Sequence, residues 1–341
     1  MKAFMVYEPG KYEIVDIPIP KINDNEVLVK VKAAAICHSD VDIIDGRRQH
    51  SITFPIIPGH EFAGTIAEVG KLAIGLNVGD KVVCENIIWC GTCHNCRNGR
   101  TSYCENFGEL GSLQNGGFAE YAVLPAKNAL KFSRLSMEEA ANVEPAGNAY
   151  HAIEAADILP GEKVVIIGPG PIGLYALQHA KMKAPGMLIM VGTRDERLEV
   201  ARKLGATHLI NVRKEDAYKS IMELTGNRGA DKIIQCATKT DAFQLAFKIA
   251  APFSTVVIEG LDDNKQRMDI EYNEFIYKCF TVTGVGGVTN RMFENTLRLM
   301  EQNCIDANPI ITHQLPLDRI LDGFELIKSR KDNVIKVVVN P

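Results

Sequence analysis

The chain has 341 residues, 46% hydrophobic and 23% charged, with a formal net charge of −4. This length points to two domains rather than one core, and the composition is that of an ordinary globular protein. The slight acidic surplus argues against a nucleic-acid partner. The lack of any apolar run of about eighteen residues excludes a membrane-spanning helix.

In chain order, the opening "MKAFMVYEPGKYEIVDIPIP" alternates as strands do, without the apolar block of a signal peptide. A cytoplasmic protein with reduced thiols is therefore expected. Up to about residue 150, short β-like runs ("EVLVKVKAAAI", "GTIAEVG", "GDKVVCE", "FAEYAVLP") are broken by Gly, Pro and Asp. They predict a small, partly closed β structure carrying functional loops. Cys37 ends the first of these runs, in "ICHSD", and His60 and Glu61 lie between glycines in "PGHEFAG". Glu144 follows in "NVEPAGN". One Cys, one His and one or two carboxylates make a mixed shell that can leave a metal position open, as catalytic zinc requires. Each residue alone reads equally well as core, structural histidine or helix start.

Between them, "WCGTCHNCRNGRTSYCEN" holds Cys90, Cys93, Cys96 and Cys104, four of the nine cysteines. A reduced compartment disfavours disulfides. The spacing C-x2-C-x2-C-x7-C, with Glu105 after the last cysteine, departs from the ferredoxin cluster pattern and its following proline. A closed structural zinc site fits, with metal ligation replacing the burial that this polar loop lacks. The remaining cysteines (Cys84, Cys236, Cys279 and Cys304) lie in apolar runs and are expected in the core.

Near residue 150 the rhythm changes. "GEKVVIIGPGPIGLYALQHAKMK" reads as strand, glycine turn and helix. "MLIMVGT", "RDERLEVARKLGA", "HLINV", "DKIIQCA", "TDAFQLAFKIAAPF" and "STVVIEGL" continue the alternation. Such a pattern calls for a doubly wound parallel sheet with helices on both faces. Gly168, Gly170 and Gly173, with Pro171 and Ile172, form GxGxxG directly after a strand and at a helix start. In that context the motif binds a dinucleotide pyrophosphate. The second strand then ends Gly192-Thr193-Arg194, with glycine where an acid would meet the ribose of NAD. Arg194 is suited to a 2′-phosphate, so NADP is expected over NAD; the other reading is a solvated Arg194 at a helix start, with Asp195 as its N-terminal acid. The last segment, "NRMFENTLRLMEQN" to "VIKVVVNP", is expected to rejoin the first half.

Taken together, the four-cysteine loop, "GHEFAG" with "VG" and "VGD", "CHSD" and GPGPIG resemble the zinc-dependent medium-chain dehydrogenase/reductase superfamily over essentially the full length. The resemblance implies an α/β protein with a GroES-like β-rich catalytic domain (1–149, completed by 290–341) and a Rossmann cofactor domain (150–289). It assigns Cys37, His60 and Glu61 to a catalytic zinc, with Glu144 as a direct or water-mediated fourth ligand and a second, structural zinc on the four cysteines. Asp40 would orient His60, Ser39 would take the substrate proton, and His38 would reach the cofactor pyrophosphate. Asp42 stands where many relatives carry a histidine, so the proton must pass to that Asp or bypass it through water. A homodimer or tetramer is implied. The pairing of Glu61 with "VEP" is similar to the sorbitol and threonine dehydrogenase branch. The expected activity is hydride transfer between a small secondary alcohol of polyol type and NAD(P). A threonine-type amino-alcohol dehydrogenase is the alternative, and a non-catalytic cofactor-binding scaffold is a third.

Overall fold

The computed structural model describes residues 1–48, 52–261 and 270–341, and every candidate site residue named above lies among them. The chain divides into two compact units, Met1–Glu144 with Val288–Pro341, and Pro145–Gly287.

The first unit is built on a seven-stranded sheet. Its order runs Ile311–Pro316, Lys336–Asn340, Glu26–Ala35, Glu61–Val69, Lys81–Cys84, Ala129–Lys131, with Tyr121–Pro125 also pairing to Glu26–Ala35. The predicted runs thus become strands, and the end of the chain does rejoin the first half: Val338 pairs with Ala35 and Val339 with Ala34. On the other side of the same strand, Ala35 pairs with Glu61. Three segments distant in sequence, one running out to Cys37 and two beginning at Glu61 and Lys336, are therefore aligned at one end of the sheet. Phe4, Val29, Val31, Phe62, Ile66, Phe118 and Val337 fill the core beneath it.

The second unit holds six strands, all parallel, in the order His208–Asn211, Met187–Gly192, Lys163–Ile167, Ala230–Gln235, Ala250–Ile258, Thr281–Gly284. The first strand in sequence lies in the middle, the doubly wound arrangement in which ligands bind beyond the strands' carboxyl ends where the order reverses. Val165, Ile189, Val191, Ile233 and Val256 are buried, as strands covered on both faces require.

Two details differ from the sequence reading. The helix over "TDAFQLAFK" stops at Lys248, and "AAPF" belongs to the following strand. There the register jumps: Ala230 faces Ala250 but Lys232 faces Thr255. Phe253 sits in this bulge at φ 61° and is 82% exposed. In addition, Cys279 and Cys304 are exposed rather than core, since each follows a helix end in a turn; Cys84 is buried as expected.

An aromatic residue in left-handed backbone costs about 1–2 kcal/mol, and so exposed a side chain recovers little by burial. Phe253→Gly is expected to raise the unfolding free energy by about 1 kcal/mol, measured as a higher denaturant midpoint at unchanged slope.

Candidate active site

The helix His38–Ile44 starts directly after Cys37. Asp40 fixes that start, its Oδ2 accepting the Cys37 N–H at 2.8 Å. Its Oδ1 accepts the Gly59 N–H at 3.3 Å and lies 3.6 Å from His60 Nδ1. One buried carboxylate thus pins both Cys37 and His60, the orienting role that a metal-bound imidazole requires. Burial opposes charge on the His60 ring, but the hydrogen bond and charge of Asp40, then those of Cys37, carry its pKa well above the ordinary imidazole value.

Cys37, His60 and Glu61 each offer a ligand atom within 4.8 Å of the other two. Zinc bonds of about 2.0–2.3 Å place tetrahedral ligands roughly 3.3–3.8 Å apart, so this sulfur, nitrogen and oxygen set fits one borderline-soft divalent ion. Glu144, in the first turn of Val143–Ala156, is buried but outside that trio; its charge is still felt at Lys336 and Cys84. The Ser39 hydroxyl is buried with no partner among the described residues. His38 is exposed, its Nε2 3.9 Å from Asp42 Oδ1. Asp42 is itself held by Arg47, through Nε at 2.6 Å and Nη2 at 2.5 Å.

A residue that the motifs did not reveal completes the site. Lys336 is 3% exposed, and its Nζ lies 2.5 Å from Glu61 Oε2 and 2.7 Å from Oε1. Burial works against its charge, but Glu61, then Cys37 and Glu144, hold its pKa above the usual lysine value. The available signal was a lone cation inside the apolar run "VIKVVV".

The sulfurs of Cys90, Cys93, Cys96 and Cys104 also lie within 4.8 Å of one another, and all four are free thiols. Cys93 and Cys104 sulfurs are 4.0 Å apart, far beyond the disulfide length of about 2.05 Å. Backbone amides point at them: Cys90 N–H to Cys104 at 3.2 Å, Cys93 N–H to Cys90 and Cys96 N–H to Cys93, both at 3.4 Å. Hydrogen bonds from the Thr92 hydroxyl and amide draw the Cys90 thiol down to about 5, whereas burial and the adjoining sulfurs push Cys96 up to about 12. Four sulfurs this close ionise together only around a cation, which fits a closed thiolate metal site.

In the second unit, Gly168 adopts φ 106°, and a Cβ on Gly173 would lie 2.0 Å from the Gly168 carbonyl oxygen. A Cβ on Gly170 would meet nothing within 4 Å, and this residue caps Pro171–Lys181 without a side-chain hydrogen bond. Backbone N–H groups at an open helix start suit a pyrophosphate. Pro171 and Ile172 begin that helix, both half-buried. At the end of the next strand a Cβ on Gly192 would strike Pro169 Cγ at 2.6 Å. Thr193 is exposed and Arg194 half-buried. The carboxylate of Asp195 is engaged by Lys214 Nζ at 2.6 Å and Asn211 Nδ2 at 2.8 Å.

A dinucleotide turn in one unit and a mixed sulfur–nitrogen–oxygen site in the other are the equipment of a metal-assisted dehydrogenase. Residues 23–134 match the family model of the alcohol dehydrogenase GroES-like domain, and residues 171–302 that of the zinc-binding dehydrogenases. An L-threonine 3-dehydrogenase of Bacillus velezensis is 39% identical over 332 residues, covering 96% of this chain and 94% of that protein. Galactitol-1-phosphate dehydrogenase from Escherichia coli shares the structure at TM-score 0.91 and 28% identity, covering all of both chains. A short chain alcohol dehydrogenase from E. coli CFT073, complexed with NADH, gives TM-score 0.91 and 28% identity over 100% of this chain and 99% of that one. The chain belongs to the zinc-dependent medium-chain alcohol dehydrogenase superfamily and is an NAD(P)-dependent oxidoreductase of alcohols. Among the described residues no helix is long and apolar enough to cross a membrane.

One further buried carboxylate lies near the cysteine lobe. Glu85 has no exposure, and its Oε2 accepts from Asn290 Nδ2 at 3.2 Å. Burial, opposed by the hydrogen bond from Asn290, raises its pKa to about 7. Its proton is held more tightly folded than unfolded, so its contribution to stability is full below the unfolded value of 4.5 and is lost as pH rises through about 7. Glu85→Gln is expected to gain on the parent by about 2 kcal/mol between about pH 5 and about pH 8, read from denaturant unfolding of both proteins at each pH.

Proposed function

We propose that the chain transfers a hydride between the secondary hydroxyl of a small polyol-like alcohol and a nicotinamide cofactor, NADP in preference to NAD. It holds two zinc ions in this reading. The observation that carries it is the clustered trio Cys37, His60 and Glu61 with Asp40 fixing two of its members. The trio would hold the catalytic ion, with Glu144 as a direct or water-mediated fourth ligand, and Cys90, Cys93, Cys96 and Cys104 the structural one. Bound there, zinc supplies Lewis-acid stabilisation of an ionised alcohol, and the nicotinamide accepts the hydride.

The chain's own residues handle the proton and the orientation. The buried Ser39 hydroxyl, without a partner among the described residues, is available to take the substrate proton. Asp40 keeps the His60 ring in one orientation. The grip of Arg47 on Asp42 favours a proton route through water past the exposed His38, which in the same reading reaches the pyrophosphate.

The preference for NADP rests on the second strand's end. A side chain at Gly192 collides with Pro169, Asp195 is engaged by Lys214 and Asn211, and Thr193 and Arg194 follow Gly192 as the residues that would meet a 2′-phosphate. A second reading of the substrate, a threonine-type amino alcohol, is favoured by the 39% identity to a threonine dehydrogenase. The edge strand Thr281–Gly284, near exposed Tyr272, Ile276 and Tyr277, supports a homodimer or tetramer. Nine free thiols suit a cytoplasmic setting.

Elemental analysis is expected to find two zinc ions per chain. Cys37→Ser should retain one ion and cofactor binding while turnover falls to below about a hundredth; two retained ions with full activity would reject the site. A screen of polyols, simple secondary alcohols and threonine with each cofactor identifies the substrate class. Arg194→Ala should weaken NADP binding roughly 10- to 100-fold and leave NAD binding nearly unchanged, measured by titration of cofactor fluorescence.

A further inference from the structure

Lys336 and Glu61 form an ion pair with 3% and 1% side-chain exposure; the ammonium donates to Oε1 at 2.7 Å, while Oε2 has no hydrogen-bond partner among the described residues. Their strands are held in register through Ala35, which pairs with Val338 on one side and Glu61 on the other. The Ile36 N–H also donates to the Val337 carbonyl at 2.9 Å, which fixes Lys336 beside Cys37. A pair this dry is a poor source of stability, because an apolar pair of similar volume commonly serves as well. Its place against a member of the metal-binding trio asks for another explanation.

Charge and geometry supply one. A Cys37 thiolate with the Glu61 and Glu144 carboxylates brings three negative charges to an ion carrying two positive ones, and Lys336 balances the remainder. A carboxylate free to turn can offer both oxygens to a metal, while catalysis needs one coordination position left open. We propose that Lys336 is a positioning residue of the metal centre: by holding Oε1 of Glu61 it restrains that carboxylate from offering both oxygens to the ion and keeps a position open for the substrate hydroxyl. This rests on the reading of Cys37, His60 and Glu61 as the catalytic zinc site. It makes the last strand of the chain part of the active site.

The test uses the whole protein loaded with cobalt(II), whose visible absorption reports coordination, with imidazole as the external ligand. The four-cysteine lobe is coordinatively closed and contributes nothing to the imidazole difference spectrum. In the parent, imidazole shifts the absorption bands. In Lys336→Met the concentration for half-change should rise about tenfold or more, release of the reactive ion to a chelator should slow, and kcat should fall about tenfold or more. Lys336→Arg keeps the cation and should restore all three towards the parent. Lys336→Gln keeps one hydrogen bond to Glu61 without the charge and should fall between the parent and Lys336→Met in all three readouts.

Unchanged imidazole binding and chelator release in Lys336→Met would overturn the inference while leaving the zinc site standing. If Lys336→Met fails to fold, Lys336→Gln decides: parent-like imidazole binding and chelator release there would also overturn it. A parent that takes up cobalt only in the four-cysteine lobe would remove the underlying reading, and the inference with it.

Discussion

A carboxylate buried at the end of a sheet must be met by its counter-charge, and in the first unit that requirement governs the course of the chain. Glu61 is delivered by one strand and Lys336 by another 275 residues away, with Glu26–Ala35 lying between them as the common ruler. The chain leaves this unit after Glu144, builds all of the second unit, and returns at Val288. Without its final strand the sheet would lose one of the strands flanking Glu26–Ala35, and Glu61 would be left as an uncompensated charge, an arrangement far costlier than losing an ordinary surface pair.

The cysteine lobe solves a different problem. Its helix His94–Arg97 is a single turn with no buried residue, so no apolar face holds it down. Amides aimed at sulfur, the Lys127 ammonium 4.0 Å above the Trp89 ring, and Asn95 bonded to the Tyr103 carbonyl organise it instead. Asn290, at the head of the returning helix, ties the lobe to the sheet through Thr101 Oγ1 and Glu85. Local ligation and a few long polar struts stand in for a core.

This contrast explains what the sequence could disclose. The four cysteines and the glycine turn are legible because their partners are near neighbours along the chain, so spacing already encodes geometry. The alternating texture of residues 150–260 likewise announces a parallel sheet, since each strand and its covering helix are consecutive. Asp40 was within reach as well, lying three residues from Cys37, whose amide it binds. Lys336 was not legible as a site residue: nothing in "VIKVVV" says which distant anion it meets, and only the sheet register supplies that. Glu85 was hidden for a similar reason, because its burial depends on Asn290, 205 residues on. The exposed Cys279 and Cys304 show the converse failure, in which apolar neighbours suggested a core and helix-ending turns overrode them.

The cofactor side shows how one packing contact can carry a chemical preference. Pro169 lies within the glycine motif, and Gly192 ends the adjacent strand; the proline ring occupies the space where a side chain on Gly192 would begin. A carboxylate at position 192, the residue that would hydrogen-bond a free ribose hydroxyl, therefore cannot be introduced without moving the glycine turn. The two features that the motif treats as separate, a phosphate-binding turn and a ribose-reading residue, are coupled sterically here. Under the proposed preference for NADP, that coupling excludes an acid at the one position where it would repel a 2′-phosphate. The nearby Asp195 is committed to Lys214 and Asn211.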